Sequence, residues 1–308
     1  MRVAYSLLDL IGGTPIVLLR NVAKGLQGEV WAKCEFMNPS GSVKDRIALY
    51  MIRDAERRGL IKPGMKLLIP TTGNTGIAFA SIGAYLGYKV VIVIPEEMSS
   101  ERILTLKALG AEIMYTPGGE SDALKSLEYA RRISMENPGE YYVFDQWSDE
   151  ANVSAHYETT GCEIIKQIGL DIDAFTAGVG TGGTLIGVAK KLKEVNPKIK
   201  IYGVEPSECP TISQGLWGTH EIEGIGDGFT PEIIERYKYL IDGWILVSSS
   251  EAITTARRIA CMEGLFVGIS SGANVSAALR LVRDQNLRKV VTILPDYGSR
   301  YFSTKLVK

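Results

Sequence analysis

Residues 174–192 read Ala174-Phe-Thr-Ala-Gly178-Val-Gly180-Thr-Gly182-Gly183-Thr184-Leu-Ile-Gly-Val-Ala189-Lys-Lys-Leu192, and this stretch decides the fold class. A β-rich run ends in a glycine-rich turn. Leu185, Val188, Ala189 and Leu192 then recur at helical spacing. Strand, glycine turn and helix in that order form the unit of a parallel sheet. Glycines also let backbone N–H groups close around an anion, and the helix N-terminus adds its dipole. The string satisfies GxGxxG, and Glu205 closes the next strand about twenty residues on, which is the spacing of a dinucleotide fingerprint with its ribose-binding acid. A nicotinamide-dependent oxidoreductase and an enzyme of some other phosphorylated cofactor both remain open on this stretch alone.

The alternation continues in both directions. Upstream, residues 67–69, 90–94, 112–115 and 142–144 read as strands, with helices over 76–86, 99–109 and 121–135. Downstream, 200–204, 245–247 and 290–294 continue the series begun at 174–179. The pattern predicts an α/β protein of two domains, each a mostly parallel twisted sheet flanked by helices. Asn137-Pro-Gly139 is the strongest punctuation near mid-chain. We place the boundary close to Gln146, giving domains 1–145 and 146–308. The strand-like runs 16–19 and 29–34 have no home by pattern alone.

Composition narrows the function. The 308 residues are 45% hydrophobic and 22% charged, with a net charge of −1, which gives no electrostatic reason to expect nucleic acid or an acidic membrane as partner. No apolar run approaches a membrane span and no signal-peptide pattern opens the chain, so a cytoplasmic protein is expected. Cys34, Cys162, Cys209 and Cys261 form no CxxC pair, which argues against a metal or disulfide framework. Cys34 and Cys261 are expected to be buried thiols. His156 and His220, the only histidines, read as solvated or core residues.

Three further loops carry chemistry. In Asn38-Pro-Ser-Gly-Ser-Val-Lys44-Asp-Arg46 a loop turns into a helix, with Ser42 as a suitable N-cap. A lysine in a first helical turn meets partial positive charge, which favours the neutral amine able to attack a carbonyl. Pro70-Thr71-Thr72-Gly73-Asn74-Thr75-Gly76 sets hydroxyl and amide groups at another helix N-terminus, a seat for a small carboxylate. One threonine or asparagine would suffice for a cap alone. Gly268-Ile-Ser270-Ser271-Gly272 opens a third such helix.

The segment 38–46 resembles the cofactor-bearing segment of the cysteine synthase and cystathionine β-synthase family, pyridoxal 5′-phosphate enzymes of the tryptophan synthase β-like fold type II. The likeness runs from Gly12-Gly-Thr-Pro15 to Arg300-Tyr-Phe-Ser-Thr304. It implies that Lys44 holds the cofactor and later moves the substrate α-proton. It also implies that Gly180, Thr181, Gly182, Gly183 and Thr184 hold the phosphate, that Asn74 bonds the ring hydroxyl, and that Ser270 meets the ring nitrogen. Thr71, Thr72, Gly73, Asn74, Thr75 and Gln146 would surround the substrate carboxylate. The family usually has serine where this chain has Thr72. Gly226 would join the substrate from the loop Glu223-Gly-Ile225-Gly226-Asp227-Gly228-Phe229, which resembles the family's flap. Arg300-Tyr301 and Leu294-Pro-Asp296 resemble its closing segment. The resemblance implies that the first two strands cross to the second sheet, that the active site lies in the cleft between domains, and that the protein is a homodimer. It needs no metal.

The implied reaction is β-replacement on an activated serine through an aminoacrylate: O-acetylserine and sulfide give L-cysteine and acetate. Residues 31–36, 54–57 and 97–101 look closer to cystathionine β-synthases, which join serine and homocysteine, whereas 204–215 and 298–304 look closer to cysteine synthases. An O-phosphoserine sulfhydrylase is a third possibility. Neither a regulatory module after residue 308 nor a haem-binding extension before residue 1 is expected. A non-enzymatic binding protein on the same fold requires that Lys44 fail to hold the cofactor.

Overall fold

Strands covered by helices on both faces need apolar residues at consecutive positions, not alternating ones. Val90–Pro95 (β4) is buried at every position and Lys66–Pro70 (β3) at all but the first. In the computed structural model, which describes residues 3–308, these two strands join Glu112–Thr116 (β5) and Tyr141–Val143 (β6) in a four-stranded parallel sheet ordered β5-β4-β3-β6. A six-stranded sheet contains Ile16–Leu18 (β1), Glu29–Cys34 (β2), Ala174–Gly178 (β7), Lys200–Pro206 (β8), Gly243–Val247 (β9) and Lys289–Leu294 (β10). Its order is β1-β2-β10-β7-β8-β9, antiparallel only between β1 and β2. The two earliest strands thus lie in the later sheet, with Val30 opposite Val290 and Ala32 opposite Thr292.

The helices are Lys44–Arg57 (α1), Asn74–Leu86 (α2), Ser100–Ala108 (α3), Ala123–Glu136 (α4), Glu150–Ala155 (α5), Cys162–Ile168 (α6), Gly183–Val195 (α7), Thr211–Gln214 (α8), Glu232–Tyr237 (α9), Ser249–Glu263 (α10) and Ile269–Gln285 (α11). Helix α1 buries Ile47, Ala48, Met51, Ile52 and Ala55, one face of a 3.6-residue period. That face joins Ile77, Phe79 and Phe144 in the core beside the four-stranded sheet, where the two phenylalanine rings lie 4.7 Å apart. Helix α1 begins at Lys44, with Ser42 Oγ accepting from the Lys44 N–H at 3.3 Å. Cys261 is exposed, contrary to its expected burial. It lies two positions past buried Ile259 on α10, about 200° around the helix. Among the described residues no helix is long and apolar enough to cross a membrane.

Strand order places the functional cleft. From β3 the chain runs outward through β4 to β5, then returns to β6 on the other side of β3. From β7 it runs through β8 to β9, then returns to β10 on the other side of β7. Connections therefore diverge at β3/β6 and at β7/β10. Ligands of open α/β sheets bind at the strand carboxyl ends at such switch points. The loops that follow these four strands contain Thr71, Gln146, Gly180 and Asp296.

Candidate active site

The glycine loop that follows β7 ends at Gly182, whose φ of +86° is the left-handed conformation that glycine takes without strain. Helix α7 starts there with no side-chain cap. The N–H groups of Thr181, Gly182 and Thr184 have no acceptor among the described residues, and that of Gly183 reaches only Thr181 Oγ1 at 3.3 Å. Three donors at a helix N-terminus are left for an anion. Gly180, Thr181, Gly182 and Thr184 line a cavity together with Lys44, Asn74, Gly224 and Ser270. Among the described residues Lys44 is the only cation in that lining, so an anion would rest on N–H groups and hydroxyls. A larger open hollow on the outer side of α1, lined by Arg53, Asp54 and Arg57, receives none of the glycine loops.

Lys44 is half-buried, and its Nζ makes no hydrogen bond or ion pair among the described residues. Burial pushes its ammonium below the ordinary value, against the upward pull of the Asp227, Glu120 and Asp296 carboxylates. Ser270, in the first turn of α11, presents a hydroxyl to the same cavity without a hydrogen-bond partner among the described residues. One turn later Asn274 accepts from the Gly178 N–H at 2.7 Å and donates to the Ile293 carbonyl at 2.9 Å. It pins the ends of β7 and β10 where the cavity opens.

A contiguous pocket brings Lys44 together with Thr71, Thr72, Asn74, Thr75 and Gln146. Thr75 donates to Gln146 Oε1 at 2.6 Å, and Gln146 donates to the Pro70 carbonyl at 3.2 Å. Thr72 turns its hydroxyl away to Glu120 at 2.8 Å. Asn74 donates to Asp296 at 2.7 Å and accepts from Arg300. Gly73 and Gly183 lie behind the walls, the former under the Arg102 side chain. Gly226 is not brought to the cavity. Its N–H donates to Val179 and its carbonyl meets His220, so Gly224 and Asp227 face the pocket instead. Glu205, which sequence spacing offers to a ribose, spends both carboxylate oxygens on the Ile212 and Ser213 N–H groups at 2.7 and 2.9 Å.

Three further charged groups adjoin this site, Asp227 from the flap motif and Arg102 and Glu120 from outside the glycine and threonine loops. Asp227 is buried and accepts from Trp147 Nε1 at 2.5 Å. Arg102, from α3, reaches the pocket wall but is tied to Glu223 and to Tyr301 Oη. Glu120 accepts from Thr72 and from the Gly224 N–H, yet its Oε2 is buried without a partner among the described residues. Burial, then the neighbouring Asp227 carboxylate, pushes Glu120 up to about 8, and burial also raises Asp227. A carboxyl ordinarily titrates near 4.3 when unfolded. Between that value and about 8 the folded state holds a proton that the unfolded chain has lost. This stabilisation is complete at low pH and is lost as pH rises through the folded value. Thermal midpoints at pH 5 and pH 8 should therefore show wild type losing stability relative to Glu120→Gln. Equal losses in both proteins would count against the shifted carboxyl.

A seat for a phosphate, an unpaired lysine amine beside it and a lone hydroxyl opposite suit a phosphorylated aldehyde, which defines the class as an enzyme of pyridoxal phosphate. The chain belongs to the family of pyridoxal-phosphate dependent enzymes, whose pattern matches residues 7–296. It is 46% identical to a cysteine synthase of Staphylococcus aureus (strain Mu50 / ATCC 700699) over 304 residues, 98% of this chain and 96% of that protein. The crystal structure of a cysteine synthase from Entamoeba histolytica superposes with a TM-score of 0.92 at 38% identity, covering 99% of this chain and 91% of the other. An O-acetylserine dependent cystathionine β-synthase from Helicobacter pylori gives 0.93 at 35% identity, covering 100% of both chains. The cofactor is pyridoxal 5′-phosphate, and the nicotinamide reading is set aside.

Proposed function

We propose that this enzyme carries out β-replacement on O-acetylserine, with sulfide as nucleophile and L-cysteine and acetate as products. The observation that carries the reading is the unpaired Lys44 amine in one cavity wall with the glycine loop and the Ser270 hydroxyl. The likeness to cysteine synthases supports the choice of substrates. Bound pyridoxal phosphate supplies an electron sink for the substrate Cα and lets the β-substituent depart. Lys44 as a neutral amine takes the Cα proton and later returns it. Thr71, Asn74, Thr75 and Gln146 orient the substrate carboxylate, which fixes the Cα–H bond toward Lys44. Thr72 joins them only when its hydroxyl leaves Glu120. The loop 180–184 holds the phosphate through N–H groups and hydroxyls, and a neutral Ser270 meets the ring nitrogen, which suits loss of a β-substituent over reprotonation elsewhere.

Residues 1–145 and 146–308 act in this reading as two units closing on the cleft, with β1 and β2 lent to the second. The resemblance supports a homodimer. Four unpaired cysteines and the lack of a membrane-spanning helix among the described residues support the cytoplasm.

Product analysis with O-acetylserine, O-phosphoserine and serine, each offered sulfide or homocysteine, tests the proposal. Cysteine should form fastest from O-acetylserine and sulfide. A phosphate dianion leaving group needs a cation, but Asp227 lines the pocket while Arg102 is committed to Glu223 and Arg300 to Asn74. Burying the dianion unpaired costs several kcal/mol, so O-phosphoserine should be slower by roughly a hundredfold or more. Faster turnover of O-phosphoserine would overturn the choice of donor. Cystathionine as the main product would overturn the choice of nucleophile.

A further inference from the structure

His156 is one of two histidines, has no place in the reaction above, and is 1% exposed. It opens a π-helical turn, His156–Gly161, that continues directly from α5. Such turns insert a residue into a helix and re-aim its side chains. Here the imidazole points beneath the phosphate loop. Its Nδ1 lies 2.9 Å from Thr160 Oγ1 and its Nε2 lies 3.1 Å from Thr184 Oγ1. One turn earlier, Asn152 donates to Thr181 Oγ1 at 3.0 Å and to the Gln146 carbonyl at 2.8 Å. Two side chains four residues apart thus reach two hydroxyls of one loop. The approach depends on Gly187, where a Cβ would stand 2.6 Å from His156 Cβ and 2.5 Å from the Val153 carbonyl oxygen.

We infer that His156 is a positioning residue for the cofactor phosphate: its Nε2–H donates to Thr184 Oγ1, so that the one hydroxyl proton of Thr184 points to the phosphate. A phosphate oxygen only accepts, and a threonine has a single proton to give. Were Nε2 the acceptor, Thr184 would spend that proton on the imidazole and present lone pairs to the anion. With Nε2–H as donor, Thr160 donates to Nδ1, His156 to Thr184, and Thr184 to phosphate. Each link has one donor and one acceptor, and no buried proton is wasted. Burial, reinforced by the Arg46 guanidinium, pushes the imidazole down to about 3, so the ring is neutral and has one N–H to place.

The tautomer can be read directly. Two-bond proton–nitrogen correlation spectra of the ¹⁵N-labelled holoenzyme contain only two imidazoles, and His156→Gln assigns them by removing one. The Nε2–H tautomer is expected for His156, unchanged from pH 6 to 8; an Nδ1–H tautomer overturns the inference. Cofactor dissociation constants give a second readout. His156→Leu should weaken cofactor binding roughly ten- to a hundredfold, the worth of one hydrogen bond to a charged acceptor. His156→Gln, whose amide can still donate to Thr184, should lose distinctly less. Undiminished binding in His156→Leu, or equal loss in both variants, overturns the assignment. If both variants misfold, His220→Gln, which leaves His156 as the one remaining imidazole, makes the assignment and the holoenzyme spectrum still decides. Wild-type protein that retains no pyridoxal phosphate would overturn this inference together with the functional reading, whereas the other outcomes overturn it alone.

Discussion

Lys44→Ala is expected to leave a folded protein whose turnover falls by about a thousandfold or more, since it removes both the covalent anchor and the proton-transferring base. The side chain begins α1 and its amine has no partner to strand among the described residues, so its loss should cost little stability. The wild-type protein should be yellow, and borohydride should fix the cofactor on the peptide that contains Lys44. The variant should still bind cofactor through the loop 180–184, but reversibly and without borohydride fixation. Labelling of a different lysine in wild type would remove the mechanistic core of the proposal. So would a Lys44→Ala enzyme that keeps a tenth of wild-type activity.

The second large effect is on stability. Arg46, two residues after Lys44, is 1% exposed and forms a bidentate pair with Glu35 at 2.6 and 2.8 Å, plus two contacts to Glu163 at 2.7 and 2.8 Å. Lys33, fully buried, closes the cluster on Glu163 at 2.7 Å. Removing one partner from such a cluster leaves a buried charge uncompensated, so Arg46→Met should lower unfolding free energy by about 3–5 kcal/mol. Arg46→Lys should recover part of it, because an ammonium cannot reproduce the bidentate geometry. Denaturant unfolding at constant cofactor concentration measures both, and a loss below about 1 kcal/mol in Arg46→Met would contradict the expectation. The pH dependence follows from the same contacts. Despite burial, Arg46 holds Glu35 low, and Glu163 is drawn down to about 2. Their stabilisation is present above the unfolded carboxyl value near 4.3 and disappears as pH falls through the folded values. The stability gap between wild type and Arg46→Met should therefore narrow as pH falls below about 4.3.

The cluster also shows where sequence patterns stop. Glu35, Arg46 and Glu163 lie up to 128 positions apart in the chain, and nothing in their spacing announces that they meet. The same holds for Asp227 against Trp147, for Glu120 against Gly224, and for His156 under Thr184. Each contact joins side chains from different elements whose approach is set by packing. By contrast, Lys44, the Thr71–Thr75 run, the loop 180–184 and Ser270 were legible because each sits at a helix N-terminus, where local residue type and geometry are bound together. The outlier is Gly226. The flap motif names the loop, but the chain turns at Gly226 to bond Val179 and His220, and this leaves Gly224 and Asp227 facing the pocket.

The sequence by itself determined the strand–helix alternation, the two parallel sheets and the four anion- or carbonyl-directed loops. These rest on short-range causes, namely apolar periodicity and the few residue types that can close a turn or cap a helix. Pattern alone left β1 and β2 without a home, and the tertiary structure seats them in the later sheet as the resemblance implied. Only the tertiary structure decided that Cys261 faces outward and that Thr72 gives its hydroxyl to Glu120. Those outcomes depend on which apolar faces find cover and which buried polar atoms find partners. Both are set by neighbours remote in sequence, which no local pattern can carry.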